Sequence, residues 1–328
     1  MARLISISQQ PEAALNEAVR VLDAGQPVAI PTETVYGLAA DATNPQAITR
    51  IYETKGRPQF NPLICHMASL AMAEDYATFD PVSRRLAKAF WPGPLTLVLP
   101  LAPQGRIHAL ATAGLSTVGI RVPKGFAQRL IGALGRPLAA PSANTSGRIS
   151  ATDAQHVADD LGDKIALILD GGRASVGVES TIVKVEADGR VRLLRPGGIV
   201  AEEIERVAGL PLIRPARAFA AIEAPGMMAS HYAPGAAVRL NATSVKPNEA
   251  LIRFGADAVD GEESACAVFS LSPAGDLGEA ATHLFDALKR ADASGAASIA
   301  IMPIPSHGLG DAINDRLTRA AAPRPDPA

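Results

Sequence analysis

Short apolar runs recur along this chain, and five of the eight stop at a proline or a hydroxyl residue: PVAIPT, PLICHM, LTLVLP, TVGIRVP, PLAAPS, IALILD, STIVKVE and RVRLLRP. Runs this short and rich in Val, Ile, Leu and Thr read as buried strands, because a buried helix needs about 10 or more residues. Between them lie stretches of helical spacing. PEAALNEAVRVLDAG carries Leu15, Val19 and Leu22 on one face and stops at Gly25, while PQAITRIYETKG closes at Gly56. PVSRRLAKAFW and DAQHVADDLGDK complete the set. Such alternation restricts residues 1–210 to an α/β or α+β domain around a twisted mixed sheet.

The pattern breaks between 211 and 236. PLIRPARAFAAIEAPGMMASHYAPGA has four prolines and two glycines without periodicity, so it reads as an interdomain linker or a long functional loop. Its Met227, Met228, His231 and Tyr232 suit a lid over a pocket better than a solvated tether. Alternation resumes in EALIRF, ACAVFSL, DLGEAATHLFDALKRADASG, ASIAIMPI and GDAINDRLTRAAA, which predicts a smaller α/β, Rossmann-like domain over 237–322. The tail 323–328, PRPDPA, is expected to be disordered. A length of 328 residues is ample for two cores.

Composition excludes several classes of function. Net charge is −2, so no general nucleic-acid coat is expected, and any anion site must be a local concentration of charge. The two cysteines, Cys65 and Cys266, form neither a metal spacing nor a disulfide framework, and no run approaches ~18 apolar residues. A cytoplasmic protein that avoids membranes is the expectation. Gly-Lys never occurs, which rules out a Walker A loop, and GLGDAI lacks the last glycine of G-x-G-x-x-G. Six scattered histidines give no metal-ligand spacing, so no protein-held metal is expected.

What remains is one kind of site repeated: hydroxyls and cations at strand ends beside Gly or Pro. PTETVYG sets Thr32, Thr34 and Tyr36 after a strand, and KGRPQFNPL brings Lys55, Arg57 and Asn61. Thr117 and Arg121 share a strand face in STVGIRVP. APSANTSGRIS clusters Ser142, Asn144, Ser146 and Ser150, VESTIVKV starts a strand at Ser180 and Thr181, and LLRPGG ends one on Arg195. Singly, each has a plain structural reading: surface charge, turn cap, core histidine for His66, packing anchor for Trp91. Together they describe a pocket for an anionic, hydrogen-bonding ligand.

PTETVYGL, KGRPQFNPL, WPGPLTLVL, APSANTSG, VESTIV and LRPGG stand in the order seen in the YrdC-like threonylcarbamoyl-AMP synthases, and the chain resembles that family from about residue 8 to 320. APGMMASHYAP and GLGDAINDRLTRAA resemble its longer, two-domain form. The resemblance implies that L-threonine, bicarbonate and ATP give L-threonylcarbamoyl-AMP, pyrophosphate and water, for threonylcarbamoylation of adenosine 37 in tRNA. It implies Lys55, Arg57 and Arg195 as the catalytic cations. ATP contacts would come from Arg57, Asn61, Thr117, Ser142, Asn144, Ser150, Arg195 and Tyr232. Threonine contacts would come from Thr34, His66, Arg121, Ala140 and Ser180, with Mg²⁺ carried on the ATP phosphates. A tRNA threonylcarbamoyl transferase complex would take the product. Met228 stands where the family often has a basic residue.

Two other readings share these motifs. One is an RNA-binding factor built on the same domain, with at most weak RNA binding at this net charge. The other is an enzyme forming a different carbamoyl-adenylate, as in hydrogenase maturation. Those relatives carry acylphosphatase and zinc-finger regions, and neither signature occurs here.

Overall fold

Helix starts in this chain are specified by their own side chains. Asn44 accepts the amides of Gln46 and Ala47 and opens Pro45–Lys55, with proline at the first position. Asp80, Asp153 and Asp276 cap Pro81–Phe90, Ala154–Leu161 and Leu277–Ala293 in the same way. Gly56 ends Pro45–Lys55 at φ 58°, a left-handed turn that would cost an L side chain about 1–2 kcal/mol. The computed structural model describes residues 1–214, 223–227 and 230–323.

The first sheet has 11 strands, in the order Arg3–Ser6, Leu167–Asp170, Val28–Ile30, Gly37–Asp41, Leu138–Ala139, Ile64–His66, Thr117–Arg121, Leu95–Pro100, Thr181–Val185, Val191–Arg195 and Leu212–Ile213. Parallel and antiparallel pairs mix, as expected. Gly37–Asp41 was not legible as a strand, since GLAAD lacks β-branched residues. Pairing on both sides makes it one. Its five residues are all buried, and so are those of Val28–Ile30 and Ile64–His66, which is why the central strands read as unbroken apolar runs. The strand Leu212–Ile213 carries the sheet just past the expected boundary at residue 210.

In the second domain, Ala237–Arg239, Ser298–Ile301, Glu249–Arg253 and Ala267–Ser270 form a four-stranded sheet, parallel throughout. Leu277–Ala293 and Gly310–Ala320 pack with it. The apolar core of this domain does not stop at its own residues. Val35, Ile149 and Val178 of the first domain join it, together with Tyr232 of the linker. Burying a large side chain there stabilises by about 1.5–3 kcal/mol, so the domain junction is held as a core is held. The tail beyond Pro323 and Met228 lie outside the described residues.

Candidate active site

Five residues meet at one end of the first sheet because the strand ladder places them there. His66 and Arg121 end the parallel strands Ile64–His66 and Thr117–Arg121 and are register partners. Ala140 follows Leu138–Ala139, its amide donating to the Ile64 carbonyl at 3.0 Å. Ser180 precedes Thr181–Val185, with its Oγ 2.8 Å from Thr96 Oγ1. Thr34 lies in the turn after Val28–Ile30, where Thr32 Oγ1 accepts the amides of Thr34 and Val35. That turn brings Thr34 Oγ1 within 2.8 Å of Arg121 Nη1. All five line a single cavity.

Arg121 is fixed from three sides. Nε donates to the Gly93 carbonyl at 3.1 Å, inside WPGPL, so that motif positions the guanidinium as well as packing Trp91 against Phe79. Glu33 Oε1 lies 2.7 Å from Nη2, a buried ion pair out of hydrogen-bond alignment. Glu33 was missed in the sequence because its threonine neighbours carried the apparent signal.

The opposite wall has mixed origins. Arg57, Ser142 and Arg195 line it, joined by Glu179 and by the linker residues Pro225, Gly226, His231 and Tyr232. Arg57 donates to the carbonyls of Asn61 (3.3 Å) and Pro62 (2.9 Å), and Arg195 to Ser180 O (3.0 Å) and Pro225 O (3.4 Å). Five expected ligand residues do not line the cavity: Lys55, Asn61, Thr117, Asn144 and Ser150. Lys55 is 1% exposed, and its ammonium donates to the Ser142 carbonyl at 2.6 Å and to that of Asn144. As placed, it pins the Ser142–Asn144 loop. Asn144 holds the same loop through Thr145 O and Arg148 O, and Ser150 donates to Glu179 Oε1 at 2.7 Å.

Electrostatically the cavity wall is cationic, with Glu179 on it and Glu33 behind Arg121 as countercharges. Burial pushes Arg57 down to about 10, so it stays charged at neutral pH. Burial lowers Lys55 well below its ordinary value, with Arg57 adding to the effect. Although burial opposes it, Arg316 and Arg195 hold the Glu179 carboxyl down at about 2. Burial drives His66 and His231 down to about 3, so both imidazoles are neutral, and the Nδ1 atom of each is buried without a partner. Unpartnered polar atoms on a cavity wall point to a ligand that would satisfy them.

Four described linker residues wall this space. Tyr232 is 1% exposed at φ 61°, stacked 5.5 Å from Phe285 and edge-on to His231 at 4.1 Å. Met227 packs against the buried cluster of Ile64, Val98, Ile182, Leu194 and Ala224. The remaining cavity is about 50 Å³. Away from it, Asp153, His156 and Asp286 lie close enough to share a metal ion. Arg173 reaches Asp286 at 3.4 Å, and Lys289 adds positive charge at His156, so the trio fits an ion-pair cluster between the two domains.

Known proteins agree with this architecture. The Sua5/YciO/YrdC family model, described as "Telomere recombination", matches residues 20–197, and that of the threonylcarbamoyl-AMP synthase C-terminal domain matches 199–322. The chain is 42% identical to the threonylcarbamoyl-AMP synthase of Pyrococcus abyssi over 320 residues, covering 92% of each protein. Against that of Bacillus subtilis it is 42% identical over 328 aligned residues, covering 94% of this chain and 93% of the relative. The crystal structure of P. abyssi Sua5 complexed with L-threonine superposes with a TM-score of 0.86 at 38% identity, over 98% of both chains. The chain belongs to the Sua5/YciO/YrdC family, in the two-domain form that carries the threonylcarbamoyl-AMP synthase C-terminal domain.

Proposed function

We propose that the cavity makes L-threonylcarbamoyl-AMP and pyrophosphate from L-threonine, bicarbonate and ATP. The observation that carries this reading is the meeting, in one cavity, of a strand-end set suited to an amino acid with a set of arginines suited to phosphates. Gly93 and Glu33 fix the plane of Arg121, and its Nη2 is the donor offered to the threonine carboxylate. Thr34, the neutral His66 and Ser180 surround the substrate hydroxyl and amine. The amine and bicarbonate give a carbamate and water, and a carbamate oxygen then attacks the α-phosphorus while the bond to pyrophosphate breaks. No protein nucleophile is required. The protein aligns the two substrates and neutralises phosphate charge with Arg57 and Arg195, while Lys55 holds the Ser142 loop against the nucleotide.

Mg²⁺ enters this reading as part of the ATP substrate. Glu179 is the carboxylate on the cavity wall, and Ser150 and Arg316 already occupy it, so the ion rides on the phosphates. A space of about 50 Å³ is far below the ~300–1,000 Å³ of ordinary ligand sites. Nucleotide entry therefore displaces the linker, which then closes on the bound complex and keeps water from the carbamate and the mixed anhydride. The product passes to a tRNA threonylcarbamoyl transferase complex in the same reading.

Pyrophosphate release in the presence of ATP and bicarbonate tests the proposal. Release should depend on L-threonine. If added threonine leaves it unchanged and RNA binds with a steep salt dependence, the RNA-binding reading takes over.

A further inference from the structure

The largest fully buried side chain in the described structure is an arginine, Arg316, on the last helix of the second domain. It is 0% exposed and points out of its own domain. Nε donates to Glu179 Oε2 at 2.9 Å, and Nη1 donates to the Pro196 carbonyl at 2.6 Å and to Asp315 Oδ2 at 3.1 Å. Its guanidinium carbon lies 5.5 Å from the Tyr232 ring centroid. One cation thus touches the carboxylate on the cavity wall, the turn that follows Arg195, and the aromatic residue of the linker.

Burying a guanidinium so completely is costly, and an apolar side chain would fill the place at lower cost if packing were its only purpose. The partners indicate another purpose. Glu179 receives Ser150 on its other oxygen, and its carbonyl accepts the Gly198 amide at 3.0 Å. Gly197 lies so close to the Glu179 and Ser180 backbone that a Cβ there would stand 2.3 Å from Glu179 O. The RPGG turn, Glu179, Ser180 and Arg195 are therefore one rigid unit, and Arg316 is its bracket from the second domain. Tyr232 depends on the same domain: its ring stacks on Phe285, and the neighbouring His231 amide donates to Arg319 O at 3.2 Å.

We propose that Arg316 is a positioning residue for the reaction, acting on the cavity wall through Glu179 and through its ring contact on Tyr232. The second domain then completes the active site from behind. This rests on the reading of the cavity given above. Ser150 and Arg316 hold the two oxygens of the ionised Glu179, which lines the cavity, and Arg316 keeps that carboxylate ionised and in place.

The test uses the full chain with Arg316→Met, Arg316→Lys, Glu179→Gln and the Arg316→Met/Glu179→Gln double variant. Threonine-dependent pyrophosphate release is measured from about pH 5.5 to 8.5. Arg316→Met should lower kcat/KM about 30–100-fold and should add a loss of activity toward acid pH beyond that of the wild type, because Glu179 becomes protonable. Arg316→Lys should keep the wild-type profile. The double variant should lose the added acid limb and fall no further than the worse single variant. If Arg316→Met does not fold, Arg316→Lys and Glu179→Gln carry the test: a wild-type profile in the first and a matching loss of kcat/KM in the second. Wild-type kcat/KM and pH profile in Arg316→Met would overturn the proposal, as would a loss with a wild-type-shaped profile and additive double-variant effects. Absence of threonine-dependent release in the wild type would instead overturn the cavity reading itself.

Discussion

The two halves of the cavity are built by different means. On the side proposed for threonine, Thr34, His66, Arg121, Ala140 and Ser180 sit at or beside strand ends, and His66 and Arg121 are register partners in the ladder. On the side proposed for the nucleotide, Arg57 leaves a helix end, Ser142 sits in a loop, Arg195 ends a strand, and Tyr232 comes from the linker at a strained φ of 61°. The first half is rigid because its backbone hydrogen bonds belong to a sheet. The second is rigid only while loop, linker and second domain stay together. A preformed amino-acid pocket next to a wall that assembles is what a two-substrate adenylation needs. On the reading proposed above, the larger substrate enters by moving the movable side.

The largest effect should fall on the assembled side. Arg57→Ala removes charge from the phosphate wall, and the expected drop in kcat/KM is ~10²–10³, equivalent to about 2.7–4 kcal/mol of transition-state stabilisation. Steady-state pyrophosphate release checks it, alongside a melting curve to confirm folding, since Asn61 O and Pro62 O lose a donor. A variant within threefold of wild type would mean that the phosphates lie elsewhere. The preformed side should fail differently. Arg121→Ala is expected to raise the threonine KM about 10–100-fold, the worth of one charged hydrogen bond, while the ATP KM changes less than threefold. Equal rises in both KM values would erase the distinction between the halves and make Arg121 a structural residue.

How far the sequence disclosed the site follows the same division. Residues at strand ends were legible because strand runs announce themselves and the residue that closes each run is a polar outlier. Arg121, Ser180 and Arg195 were found in that way. The helix end at Lys55-Gly56-Arg57 was legible as a sharp corner with two cations, but the fate of each cation was not. Lys55 turns to two backbone carbonyls and Arg57 to the cavity, because the Ser142–Asn144 loop happens to present its carbonyls on one side of Gly56. Glu33, Glu179 and Arg316 were not legible at all. A carboxylate among hydroxyls carries no periodic signature. An arginine on an amphipathic helix reads as solvated surface until the neighbouring domain that buries it is known. The linker was legible as a composition break, and its aromatic pair as unsuited to solvent, yet its contact with Phe285 depends on a helix far along the chain, which no local pattern joins to it.

The smallest effect, and the one that probes the assembled half most directly, is a pH dependence of linker opening. His231 is buried with its Nδ1 unpartnered, and burial drives it from 6.5 down to about 3. Glu179 pulls in the opposite direction, while Arg57, Lys55 and Arg195 reinforce the depression. Displaced into water, the same imidazole returns to about 6.5. The open form therefore takes up the proton first, and falling pH favours opening. Above about pH 7.5 both forms are neutral and pH has no leverage. At about pH 5.5 the open form gains roughly 1.4 kcal/mol, a tenfold shift. Two amides report it: His231 N, which donates to Arg319 O, and Ala233 N, which donates to Gly147 O at 2.9 Å. After correction for intrinsic exchange rates, their hydrogen-exchange protection should fall about tenfold between pH 7.5 and 5.5. His66, the second neutral imidazole on the wall, sits on a strand end, so His66→Gln should leave that fall intact while His231→Gln abolishes it. Protection that is flat in the wild type, or that responds to His66 instead, would show that the linker is fastened as firmly as the sheet, and the contrast between the two halves would fail.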